Sequence, residues 1–291
     1  MKLYESIEIL SKVYNLQTIC NALNVNKSSY LYWLNTGKNN QQIKSEFYCL
    51  IVQIYAESGG IYGSPKITAI LNNVYCVICS CSKVAKSMHL LGIRSIVSKS
   101  FPHRKSTLTN DEKKLIVNLI KDLNITRINQ VWTTDVTYIN TINEGTFFLI
   151  TYIDYFSKKV ISWGLYDNQK TDKLISTLKI AIKQRKPSPG LICHSDKGSQ
   201  MRSNSYRQFL KDHNFVFSYT SLNHSCDENA AQESFHSLLK KEKLYQIKLY
   251  TYEDAFNAIF EYIEGFYNPI RIHSSIGYLS PNDFEKLHKN S

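Results

Sequence analysis

The chain has 291 residues, which at roughly 150 per domain gives about two domains, and its 43% hydrophobic content excludes disorder as the main state. No window approaches the ~18 uninterrupted apolar residues of a membrane span, and Met1-Lys2-Leu3-Tyr4-Glu5 opens no signal-peptide run, so a cytoplasmic protein with no membrane contact is expected. The excess of Lys and Arg (35) over Asp and Glu (24) gives +11, concentrated in residues 1–110, where 12 basic side chains outnumber 4 acidic ones.

A basic front end on a near-balanced body points to a polyanion, most often nucleic acid. The alternative is a soluble protein that is merely basic. Seven cysteines, an odd number scattered along the chain, do not make a disulfide framework. Cys76, Cys79 and Cys81 lack paired histidines at finger spacing, so no zinc is expected.

The first hundred residues read as short helices between polar turns. Ile19, Cys20 and Leu23 share a helical stripe, Asn24 to Lys27 makes a turn, and Ser28 to Leu34 opens a second helix. That layout resembles a helix-turn-helix, whose second helix enters the major groove. Residues 1–40 are assigned to it. A second helical region over 41–97 is marked by Ser64-Pro65 as cap and first turn, then by Ser80 or Ser82 capping a helix that carries Val84, Met88 and Leu91. Residues 98–126 form a basic linker and connecting helix.

From 127 the periodicity changes. Val131 to Thr141 alternates at strand period, Asn143-Glu144-Gly145 turns, and Phe147 to Ile153 and Val160 to Tyr166 give two more strands. A helix opened by Thr171, a short strand at 191–193, a helix around 206–210, a strand at 215–219 and helices from about Asn229 and Tyr252 follow. Residues 127–291 are thus an α/β domain, a mixed sheet flanked by helices, behind small all-helical regions.

Three acids stand out. Asp135 lies inside a strand, where a carboxylate is costly to desolvate without compensation; a solvent-facing edge position is the plainer reading. Asp196 follows an apolar strand, where ligands of open α/β sheets gather, with Gly198 allowing close approach; an ordinary turn is its alternative. Glu233 sits on a helix whose packed stripe is read as Ala231, Phe235, Leu238 and Glu242, with Glu233, Ser237 and Lys240 on the adjacent one. Taken singly it is an exposed helix acid. Together, two strand Asp and a later helix Glu can hold two divalent cations, Mg²⁺ or Mn²⁺, through carboxylate oxygens for phosphodiester chemistry.

Several segments carry a resemblance: Trp132 to Ile139, Ile153 to Trp163, His194-Ser195-Asp196-Lys197-Gly198-Ser199-Gln200, Asn229 to Phe235 with Leu239-Lys240, and Tyr262 to Tyr278 with Ser280-Pro281, preceded by Ile61 to Ile67. They are similar to the second-frame (OrfB) transposases of bacterial two-frame insertion sequences, with a core related to retroviral integrase. The resemblance spans nearly the whole chain. It implies an RNase H-like fold, a DDE triad on Asp135, Asp196 and Glu233, and strand transfer on double-stranded DNA. It also implies association with the nucleoid and a homo-oligomer of at least two protomers, working mainly as the C-terminal part of a fusion with the upstream frame. DNA contacts are expected at Lys27, Ser28, Tyr30, Lys66, Lys83, Lys86, Lys240, Arg271 and His273.

The pattern departs from the family in places. There are 36 residues between Asp196 and Glu233 where the family usually has 35, Asp227 and Glu228 add acids before the Asn-Ala, and Met201 stands where Tyr is usual. A DNA-binding regulator, an inactive element remnant and a hydrolytic nuclease on the same fold are the other readings; three acids at matching positions argue against the regulator.

Overall fold

The computed structural model describes residues 2–98, 118–196, 198–220 and 229–288. Backbone contacts divide the chain into two compact units, 1–95 and 96–291. Most of the linker assigned to 98–126 lies outside the described residues.

The first unit is helical. α1 (Lys2–Leu10), α2 (Leu16–Ala22) and α3 (Lys27–Tyr32) enclose Ile7, Ile19, Cys20 and Tyr30. Two asparagines set the starts: Asn15 Oδ1 accepts from Gln17 N–H at 2.9 Å and Asn26 Oδ1 from Ser28 N–H at 2.8 Å. The second helix therefore begins at Lys27, one residue before the expected Ser28. Lys27 and Ser28 are exposed, as a DNA contact requires. Tyr30 is not: it is 2% exposed and packs between Tyr4 and Trp33. Its large ring is worth more to a core of this size than to a surface, which corrects its assignment as a DNA contact.

α4 (Lys38–Glu57), α5 (Ser64–Asn73) and α6 (Cys81–Leu90) follow, burying Phe47, Ile51, Ile54, Ile67, Leu71, Val84 and Met88. Gly63, not Ser64, is the N-cap of α5, with Pro65 in the first turn. At α6 the cap is Ser80, whose hydroxyl accepts from Lys83 N–H at 3.2 Å. Lys83 and Lys86 are exposed and Lys66 half-buried; the ammonium of Lys83 lies over the Phe47 ring at 4.4 Å and that of Lys66 over Tyr62 at 4.7 Å.

The second unit is built on a five-stranded sheet of β1 (Val131–Thr141), β2 (Gly145–Asp154), β3 (Val160–Tyr166), β4 (Ile192–Ser195) and β5 (Val216–Tyr219), in the order β3-β2-β1-β4-β5. The first three are antiparallel and β4 and β5 run parallel to β1. The turn into β2 closes on Gly145, whose φ of 84° suits a residue without Cβ.

Helices cover both faces, so the central strands are buried on each side. On one face Ile150, Tyr152 and Trp132 pack on α7 (Thr171–Arg185) and α8 (Asn204–Asp212) through Leu174, Leu178, Tyr206 and Leu210. Lys170, rather than Thr171, is the N-cap of α7. On the other face Ile139, Leu149 and Ile153 meet α9 (Ala230–Glu242), α10 (Tyr252–Phe260) and the π-helical turn Glu261–Tyr267 through Phe235, Leu239, Ile259 and Ile263.

The closing segment is tied to this body by polar bonds. Asn268 pairs with the backbone of Val160 in both directions, at 3.1 and 3.0 Å, as a neighbouring strand would. In α11 (Pro281–His288) the buried Glu285 takes a two-pronged bond from Arg185 at 2.8 and 3.0 Å and the hydroxyl of Ser157 at 2.8 Å.

Candidate active site

The parallel pairing of β1 with β4 sets Thr134 opposite Ser195, so the next residue on each strand is an aspartate. Asp135 is half-buried, its Oδ1 accepting from Val136 N–H at 2.8 Å. Asp196 leaves the end of β4, and its Oδ1 accepts from Gly198 N–H at 3.0 Å. A Cβ at position 198 would stand 3.1 Å from that same oxygen and 3.0 Å from Met201 Sδ, so glycine permits the turn to close on the carboxylate. Burial raises the pKa of the Asp196 carboxyl, and the negative charge of Asp135 raises it further. The Asp135 carboxylate is thus close enough to oppose the ionisation of Asp196.

α9 lies over β1 as a ladder. Four helical residues rise about 6.0 Å and two strand residues about 6.8 Å, so helix positions i, i+4, i+8 can meet strand positions i, i+2, i+4. Gln232, His236 and Lys240 do so against Thr133, Asp135 and Thr137. Gln232 Nε2 donates to the carbonyl of Thr133 at 2.7 Å, His236 Nδ1 lies 3.4 Å from Asp135 Oδ2, and Lys240 Nζ donates to Thr137 Oγ1 at 2.6 Å. Thr151, the direct cross-strand partner of Asp135, donates its hydroxyl to Gln232 Oε1 at 2.7 Å and lies 3.2 Å from His236 Nε2. Burial lowers the pKa of Lys240, and the Asp135 charge offsets part of that shift. Lys240, expected on DNA, is directed into the site beside an acid.

The sequence pattern packs α9 through Ala231, Phe235, Leu238 and Glu242; the buried residues are instead Gln232, Phe235, His236, Leu239 and Glu242. The helix is turned so that polar side chains meet the strand. A polar residue at every fourth position is visible in the sequence as Gln232, His236, Lys240, but an apolar face is the stronger signal. Glu233, the next residue after Gln232, is exposed in the first turn of α9. Asp227 and Glu228 lie outside the described residues. Among the described residues no three acidic, histidine or cysteine side chains already enclose a metal ion. The donor chemistry nevertheless fits one: two neighbouring carboxylates of hard oxygens, one inside β1 and one just past the end of the parallel β4, suit a divalent cation such as Mg²⁺.

Arg271 and His273 require correction as DNA contacts. Arg271 is 4% exposed and clasps Glu242, with Nη2 on Oε1 at 2.6 Å and Nε on Oε2 at 2.8 Å. His273 is 9% exposed, within 3.3 Å of the same guanidinium and edge-on to the Tyr267 ring. Their charge and hydrogen bonds are committed inside the unit.

Family models for the integrase core domain match residues 125–225 and 233–288, and one for an HTH-like domain matches residues 43–101. The transposase of insertion sequence element IS904 from Lactococcus lactis subsp. lactis (strain IL1403) is 35% identical over 251 residues, covering 85% of this chain and 97% of that protein. The chain belongs to the insertion-sequence transposases. Transposase InsF of IS3A from Escherichia coli (strain K12) is 30% identical over 295 residues, covering 97% of this transposase and 98% of InsF. A looser likeness, TM-score 0.42 at 18% identity over 56% of the transposase and 98% of the other chain, is to the catalytic core domain of BIV integrase. The mixed sheet of the transposase lies in its integrase core, and most of α4 and all of α5 and α6 lie within its HTH-like match. It is a polynucleotidyl transferase acting in DNA transposition.

Proposed function

We infer that Asp135, Asp196 and Glu233 are the acidic triad of this transposase, that they hold two divalent cations, Mg²⁺ or Mn²⁺, and that the reaction joins a 3′-hydroxyl at the element end to a phosphodiester of double-stranded target DNA. The observation that carries this reading is the placement of Asp135 on β1 and of Asp196 just past the end of its parallel neighbour β4, where the charge of Asp135 adds to the burial that raises the Asp196 pKa. When bound, the cations supply activation of the attacking hydroxyl and stabilisation of the leaving oxygen. Glu233 brings the third carboxylate from the first turn of α9. Lys240, its ammonium held by Thr137 within reach of the Asp135 charge, offsets phosphate charge brought into the site.

DNA is held by polar and basic residues of the first unit, with the exposed Lys27 and Ser28 opening one helix, the half-buried Lys66 on α5 and the exposed Lys83 and Lys86 on α6. Two element ends must meet for joining, so at least two protomers act together, and in its element the chain works as the C-terminal part of an upstream-frame fusion. The reading is tested by strand cleavage and joining on a labelled end substrate. Asp135→Asn and Asp196→Asn should each lower both steps by on the order of 10³-fold or more, with DNA binding and melting temperature preserved. Near-normal joining by either folded variant would refute it.

A further inference from the structure

The polar network behind Asp135 fixes where its protons sit. Gln232 Nε2 lies on two carbonyls, Thr133 O at 2.7 Å and Thr151 O at 3.3 Å, which can only accept. The amide is therefore oriented with Oε1 toward Thr151, and at 2.7 Å Oε1 can only accept the hydroxyl proton of Thr151. Thr151 has no second proton to give, so its 3.2 Å contact with His236 is donated by the ring, from Nε2–H. In the neutral imidazole the other nitrogen, Nδ1, is then a bare lone pair. That lone pair faces Oδ2 of Asp135 at 3.4 Å, in a ring that is 7% exposed.

Two lone pairs opposed in this way repel unless a proton or a metal cation lies between them: a proton makes the contact an imidazolium–carboxylate pair, whereas a metal cation makes both groups its ligands. Two ligands on one ion with arms of about 2.1 Å at a right angle stand roughly 3.0 Å apart, and 3.4 Å opens that angle only modestly. A ligating histidine usually has its remote N–H anchored by a hydrogen bond, which fixes tautomer and ring plane, and Thr151 provides that anchor. We propose that His236 supplies Nδ1 as a nitrogen ligand to a cation shared with Asp135. The proposal rests on the reading that Asp135 belongs to the metal site and adds to it a donor outside the acidic triad. Its chemical consequence is selectivity. Imidazole adds more to the binding of a transition-metal ion than of Mg²⁺, which favours oxygen, so this site should prefer Mn²⁺ over Mg²⁺ more than carboxylates alone would.

The test is pulsed EPR on the full chain loaded with Mn²⁺, in natural-abundance and [¹⁵N]histidine-labelled forms. ¹⁴N modulation is expected in the unlabelled protein, replaced by a ¹⁵N signal on labelling and absent in His236→Phe. By equilibrium titration the same variant should bind Mn²⁺ about 10-fold or more weakly, with a smaller change for Mg²⁺. Should His236→Phe fail to fold, Thr151→Val keeps the imidazole and removes the hydroxyl that anchors it, together with that hydroxyl's bond to Gln232 Oε1: Mn²⁺ affinity should fall within the 10–100-fold range typical of such supporting groups, while nitrogen coupling persists. Mn²⁺ binding that Asp135→Asn abolishes, but that carries no histidine coupling in the wild type, overturns this proposal and leaves the carboxylate reading standing. Binding that is indifferent to Asp135→Asn overturns both.

Discussion

Replacing Arg271 with Met separates two roles for a residue whose sequence context points to DNA. The guanidinium and its partner are almost wholly enclosed, with side-chain exposures of 5% for Arg271 and 2% for Glu242, so solvent screening offers no discount. Burial pulls the arginine pKa down, but the hydrogen bond and charge of Glu242 raise it above its ordinary range. Met fills much of the same volume without charge, leaving Glu242 with the Tyr262 hydroxyl, which donates to it at 2.7 Å. Stranding one member of a buried pair costs about 3–5 kcal/mol. For a unit of the size of residues 96–291, each kcal/mol moves the midpoint by roughly 2–4 °C, so the core transition should fall by about 6–20 °C. Thermal unfolding followed by circular dichroism measures this. Arg271→Met combined with Glu242→Leu should recover part of the loss, since no charge is then left unpaired. If Arg271→Met shifts the transition by less than about 2 °C while end-DNA affinity and its salt dependence drop, the arginine is a DNA ligand and the argument from burial fails.

Other outcomes follow from the same geometry. Glu233→Gln should be inactive in strand joining, whereas Asp227→Asn and Glu228→Gln should keep activity; a dead Glu228→Gln beside an active Glu233→Gln would shift the register of the third acid. Removing residues 1–100 should flatten the log–log salt dependence of end binding by about 0.9 for each phosphate no longer neutralised. Lys27→Ala should remove one such increment with stability intact, while Tyr30→Ala should destabilise the first unit by about 3 kcal/mol as a buried aromatic; a change of slope without a change of stability in Tyr30→Ala would reverse that distinction. Burial pushes the pKa of Glu285 up, but Arg185, Lys159 and Ser157 bring it below the ordinary 4.5. Its stabilising contribution is therefore present above 4.5 and is lost as pH falls through the lower folded value. Glu285→Gln should flatten the acid limb of melting temperature against pH, and an unchanged limb would count against the clasp.

Legibility in the sequence depends on which force leaves a pattern. β1 carries strand alternation over 131–141 and β3 is a short strand-forming run over 160–166, and the bounds of both coincide with those expected. Asp135 stands out in the sequence because a carboxylate inside a strand is costly to desolvate, and Asp196 because it follows a short apolar strand two residues before Gly198; each alone also reads as an edge or turn residue, and it is their combination with a later helix Glu that points to a site. The rotation of α9 is not legible, because its packed face mixes Phe235 and Leu239 with Gln232 and His236, and the latter are placed by hydrogen bonds to a strand about a hundred residues earlier. Arg271 misleads for a similar reason. Its partner Glu242 is 29 residues away, and a basic residue in a basic protein looks exposed until the acid that encloses it is known.

That hidden rotation bears directly on the chemistry. Successive helical residues are offset by about 100°, so Glu233 cannot be aimed independently of Gln232. The Gln232 amide has all three of its bonds to Thr133 and Thr151 inside the unit, at 0% exposure. Turning α9 about its axis would strand those buried groups at about 1–3 kcal/mol each, and would pull Lys240 from Thr137 as well. The polar bonds thus add to the close packing of Phe235 and Leu239 in holding the helix in one rotational setting. The ladder on Thr133, Asp135 and Thr137 adds the orientation that a carboxylate on the neighbouring stripe needs if it is to serve the same ion as Asp135.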